Sequence, residues 1–108
     1  MPAFATCLVL AVAILLAGNP AGADSQAGRS KAQMCAACHG PLGVSKMPDT
    51  PNLAGQPERY LSEQLKAYRS GKRVHDIMTL IAKPLTDDEI ASLAAWFSSL
   101  QVEVKEKP

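Results

Sequence analysis

The chain is short of the residues on which most chemistries depend. It has 3 cysteines and 2 histidines among 108 residues, too few for a disulfide framework or a repeated Cys/His metal scaffold. No stretch alternates apolar and polar residues well enough to read as a strand, so the fold class expected is all-α. Charge of neither sign dominates: 11 basic residues against 10 acidic ones leave no bias toward nucleic acid or an anionic membrane. There is no internal repeat, no phosphate-binding glycine loop, no catalytic acid/base pair and no nucleophile triad. The Ser, Asp and Glu residues read as helix caps and solvated faces.

Long hydrophobic runs are scarce too. The run from Phe4 to Ala17 is about 14 residues, too short for a comfortable transmembrane helix and suited to the core of a signal peptide. Gly18-Asn19-Pro20 breaks it, and Ala21-Gly22-Ala23 offers a small-residue cleavage site. Residues 1–23 are therefore expected to be a signal peptide and 24–108 the mature domain, about 85 residues long. No Lys or Arg precedes the run, which keeps an uncleaved membrane anchor open as the alternative. Cys7 falls in the segment removed, leaving Cys35 and Cys38 as the only mature cysteines. A domain this small has a thin apolar core and commonly leans on a metal or cofactor for stability.

What the mature chain does have is Cys35-Ala36-Ala37-Cys38-His39. Two cysteines three apart lie on one side of a helical turn, where both sulfurs reach the vinyl groups on one porphyrin edge and form thioethers. The adjacent histidine comes up beneath the iron as the proximal ligand. A structural zinc site competes for these residues, but no second C-x-x-C or H-x-x-x-H follows. A thioredoxin-like dithiol belongs at a strand-to-helix junction, whereas the segment before Cys35 reads as helix. A disulfide between residues three apart would close a trivial loop and stabilise little.

Around the motif, Ser25 to Met34 reads as a first helix, with Gly28 and Ala32 forming a strip of small residues that either lets another helix approach or is a weak spot near the helix start. Gly40 to Gln56 is rich in Gly and Pro and reads as loop. Within it, Pro51 can present its carbonyl to the ring N–H of His39, the kind of contact that orients a ligating histidine. The next helix starts with Pro57 at the first helical position and stops at Gly71. The last opens with a capping box, Thr86-Asp87-Asp88-Glu89, and buries Ile90, Leu93, Ala94, Phe97 and Leu100, with Trp96 on its flank.

An axial ligand opposite His39 has four candidates in the mature chain: Met34, Met47, Met78 and His75. Met34 abuts Cys35 and cannot cross to the other haem face, and Met47 lies in the loop close after His39. Met78 follows a loop and a whole helix, enough chain to reach the distal side; His75 remains the alternative, and core filling is the ordinary role for Met78. Lys66, Arg69, Lys72 and Arg73 gather at the end of the second long helix, either as a rim that steers an acidic partner or as solvated charges that suit the helix dipole.

From Gly28 through CAACHG, PNLAGQ and YLSEQLKAYRSGKR to Met78, PLTDDEI and the last helix, the mature chain resembles the class I cytochromes c of the small bacterial monohaem kind. It is most similar to one half of the tandem dihaem cytochromes c and to the cytochrome subunit of flavocytochrome c sulfide dehydrogenases. The resemblance implies a single-domain class I cytochrome c fold wrapped around one covalently bound haem c. Cys35 and Cys38 would be the thioether sites, His39 and Met78 the axial ligands, and Pro51 the carbonyl partner of His39. Gly28 and Trp96 match positions where first and last helices cross. The implied role is periplasmic electron transfer between redox partner proteins, by a carrier rather than an enzyme. The alternatives are a haem-bearing subunit of a larger oxidoreductase such as a flavocytochrome c, or a haem enzyme whose labile distal methionine yields to peroxide. The chain departs from the tandem relatives in having one haem motif where they have two.

Overall fold

The computed structural model describes Met1 and residues 24–108; the apolar run from Phe4 to Ala17, Cys7 and the Ala21-Gly22-Ala23 site lie outside the described residues. Asp24 opens the first helix, α1 (Ser25–Lys31), by accepting a hydrogen bond from the Gln26 amide at 2.9 Å. The sequence reads as one helix through Met34, but the chain tightens to a 3-10 turn over Ala32–Met34. An i to i+3 bond from the Cys35 amide to the Ala32 carbonyl, 2.9 Å, closes that turn and lets a new one start at Cys35. The new turn is α2 (Ala36–His39).

A loop of irregular backbone leads to α3 (Glu58–Ser70), where Pro57 stands just outside as the cap instead of occupying the first helical position. Gly71, at φ 82°, ends α3 in the left-handed conformation. A helix absent from the sequence reading follows, α4 (Asp76–Ala82). The final helix, α5 (Asp87–Ser99), carries the complete reciprocal capping box between Thr86 and Glu89. Among the described residues the secondary structure is helical throughout, with no strand, and no helix is long and apolar enough to cross a membrane.

The core is where α5 meets α1 and α3. Ile90, Leu93, Ala94 and Phe97 of α5 are buried with Ala32, Leu61, Ala82 and Leu85, and Cys35, Leu53, Leu65, Tyr68, Trp96 and Leu100 pack around them half-buried. The α1–α5 crossing is close enough that a Cβ at Gly28 would lie 1.9 Å from the Ser92 carbonyl oxygen and 2.8 Å from Trp96 Cβ. Gly28 therefore sets the approach of the two helices. α4 packs on α3 and carries Met78 in its first turn.

Candidate functional site

Cys35, Cys38 and His39 are held by the α2 turn: the His39 amide donates to the Cys35 carbonyl at 2.9 Å, which sets Cys35 and Cys38 on one side of the same turn. Both thiols are free and half-buried. Burial first, and then the neighbouring Cys38, push the Cys35 thiol above its ordinary value, against a smaller pull from Lys31.

His39 is buried, only 7% exposed. Its Nδ1 lies 2.8 Å from the Pro51 carbonyl oxygen. A carbonyl only accepts, so Nδ1 carries a proton and donates it to Pro51. Among the described residues Nε2 has no hydrogen-bond partner.

The loop that delivers Pro51 is braced at several points. The Gly43 carbonyl accepts from the Leu53 and Ala54 amides at 2.7 and 3.1 Å, and the Gly55 amide donates to the Phe97 carbonyl of α5 at 2.9 Å. Asn52 Oδ1 accepts from the Ser45 amide at 2.7 Å, and the Ser45 hydroxyl donates to the Cys38 carbonyl at 3.2 Å. Ser45 and Asn52 thus couple the loop to the α2 turn. Their signal in the sequence is only that both are short polar residues in a loop, the type that bonds to nearby backbone.

The candidates for the opposite ligand separate by position. Met34 is in the 3-10 turn beside Cys35 and Met47 is in the loop, both exposed. Met78 is half-buried at the third residue of α4. His75 is exposed, and its Nδ1 accepts from the amides of Ile77 and Met78, both at 3.2 Å, as the cap of α4. That capping role was not legible as such; an acidic residue, Asp76, directly after His75 is the sequence signal of a helix start there.

The basic cluster divides. Arg69 donates to the Leu85 carbonyl at 3.0 Å and to Asp87 at 2.6 Å. Arg73 donates to Gln64 at 2.7 Å and lies over the Tyr68 ring at 4.7 Å. Lys66 and Lys72 are exposed.

Two cysteines on one helical turn, followed by a histidine whose ring is oriented through Nδ1, match what covalent haem attachment needs from a polypeptide. Residues 25–101 match the Cytochrome c family. The chain belongs to the cytochrome c family. Family membership implies a covalently bound haem c, and the donor set above fits it. Among relatives, the chain is 44% identical to cytochrome c4 of Pseudomonas aeruginosa over 84 residues, 78% of this chain and 42% of that protein. It is also 44% identical to cytochrome c-554(548) of Halomonas halodenitrificans over 79 residues, covering 70% of this chain and 95% of that one. The crystal structure of reduced cytochrome c4 from Pseudomonas stutzeri superposes with a TM-score of 0.72 at 39% identity, over 77% of this chain and 48% of that chain. Thiosulfate dehydrogenase from Marichromatium purpuratum matches with a TM-score of 0.69 at 36% identity, over 80% of this chain and 21% of that one. The chain thus spans about half the length of the cytochromes c4 it matches.

Proposed function

We propose that this chain is an exported electron carrier of the periplasm, with one haem c bound through thioethers to Cys35 and Cys38 and ligated by His39 Nε2 and Met78. The observation that carries the reading is the 2.8 Å contact from His39 Nδ1 to the Pro51 carbonyl, beside two free cysteines on the same turn. When bound, the haem supplies an iron that takes up and releases one electron. The chain's own residues do the rest. The Pro51 carbonyl holds the imidazole plane and makes Nε2 more basic. A methionine sulfur opposite favours the reduced form, so a moderately positive potential is expected. If His39 and Met78 both held the iron, no position would be left for a substrate, and carriage rather than catalysis is therefore the reading. One haem is expected because Cys35–His39 is the one such motif in the sequence. Export is supported by the uncharged run Phe4 to Ala17 and the Ala21-Gly22-Ala23 site that follows it.

The test compares two methionines. Met78→Ala should abolish the weak near-infrared absorption typical of sulfur bound to ferric iron and lower the potential, while Met47→Ala does neither. Equal effects from the two substitutions, or none from Met78→Ala, would contradict the ligand assignment.

A second reading, a haem-bearing subunit that passes electrons for a larger oxidoreductase, is favoured by the match to a fifth of the thiosulfate dehydrogenase chain. Copurification of the native exported protein with a larger oxidoreductase chain distinguishes it from a free carrier.

A further inference from the structure

α4 is 7 residues long, under two turns, and helices this short are marginal without outside support. Ala82, its last residue, is buried. Met78 sits in the first turn, where the amides have no partner within the helix. The start of α4 is closed by His75. Its Nδ1 accepts from the Ile77 and Met78 amides, each at 3.2 Å. In return the Thr79 hydroxyl accepts from the His75 amide at 3.0 Å, and the Thr79 amide donates to the His75 carbonyl at 2.9 Å. The arrangement is a reciprocal cap, with an imidazole where Ser, Thr, Asp or Asn usually stands.

We propose that His75 is a positioning residue: its imidazole, bonded to the Met78 amide, holds the first turn of α4 closed and thereby keeps the methionine sulfur on the iron. This rests on Met78 being the axial ligand. Fraying of the first turn would move the Met78 backbone and open the sixth iron position to outside ligands. His75 then contributes to keeping the protein a closed electron carrier, although it makes no bond to the iron itself.

The test uses purified ferric holoprotein and follows loss of the near-infrared sulfur-to-iron absorption as imidazole, added in excess, replaces the methionine. Removing a cap of ordinary strength should raise the population of the frayed turn, and with it the displacement rate, about five-fold in His75→Ala. His75→Asn, whose side-chain oxygen can accept the same two amides, should restore a rate near that of the unaltered protein. Thr86→Ala, which removes the cap of α5 and lowers overall stability without touching α4, should leave the rate unchanged. A displacement rate in His75→Ala equal to the unaltered one overturns the proposal. So does a fast rate in His75→Asn, or an equal acceleration in Thr86→Ala, which would make the effect one of general stability. An unaltered protein with no near-infrared band would overturn the Met78 assignment instead, and this inference with it; a band present but insensitive to His75 overturns only the inference.

Discussion

A methyl group added at Gly28 would meet the Ser92 carbonyl oxygen at 1.9 Å, and the obstacle is helix backbone, which cannot rotate aside as a side chain can. Gly28→Ala should therefore force α1 away from α5 and cost on the order of 1–3 kcal/mol, despite the better helix propensity of alanine. Denaturant unfolding of the holoprotein measures it; an unchanged or raised midpoint would mean the crossing relaxes without cost. The sequence carried a hint here in the Gly28/Ala32 spacing, but on its own spacing does not tell a contact strip from a weak helix start, and only the position of Ser92 and Trp96 decides between them. Pro51 was legible in a similar way. The sequence offered a rigid carbonyl after a loop, and the structure has it 2.8 Å from His39. His75 was legible only as a second possible iron ligand, because a histidine is seldom read as a cap and its bonds to the Ile77 and Met78 amides depend on a helix the sequence did not announce.

Among the elements, α3 and α5 were readable because each is 13 residues long and carries explicit stops and starts. α4 was not, since a helix of less than two turns shows little periodicity and its start is closed by a histidine in place of the usual cap residues. Among the described residues, two ion pairs tie other helices together. Arg69 of α3 bonds Asp87 at the start of α5, and Lys31 of α1 bonds Glu89. The Asp87 carboxyl is held below its ordinary value first by the hydrogen bond from Arg69 and then by its charge, and that of Glu89 first by the hydrogen bond from Lys31 and then by the Thr86 amide. Carboxyls lowered in the folded state add stability that is fully present above the ordinary carboxylate range, about pH 4, and is lost as pH falls through the lowered values. Unfolding midpoints should accordingly be flat from neutrality to about pH 5 and fall below about pH 4. Asp87→Asn should make that fall shallower while lowering the midpoint at pH 7 only slightly, because the pair is on the surface. A fall as steep in Asp87→Asn as in the unaltered protein would assign the acid sensitivity elsewhere.

Over the whole molecule, the apolar interior is small. Among the described residues only Ile90 and Leu93 are large side chains buried almost completely, and domains of about 85 residues with such a core lie near the limit of independent stability. The polypeptide without haem should be largely unfolded by circular dichroism; a cooperative haem-free transition would contradict the account of its stability. Long-range charge is a separate matter. With Arg69 paired to Asp87, any steering of an acidic partner by the end of α3 falls to Lys66, Lys72 and Arg73, whose partner Gln64 is neutral. Lys72→Glu should then slow the bimolecular reaction with the physiological partner at low salt and leave the potential unchanged. A rate indifferent to salt and to that reversal leaves these lysines as solvated helix-end charges. All of this depends on one covalently attached haem, and the most direct measurement of that claim is the intact mass of the exported protein before and after extraction with acidified organic solvent. The exported protein should have the mass of the polypeptide plus a single haem, unchanged by extraction and reduced to the bare polypeptide when Cys35 and Cys38 are both replaced by alanine. A haem that passes into the solvent and leaves the unaltered protein at the bare polypeptide mass would contradict it.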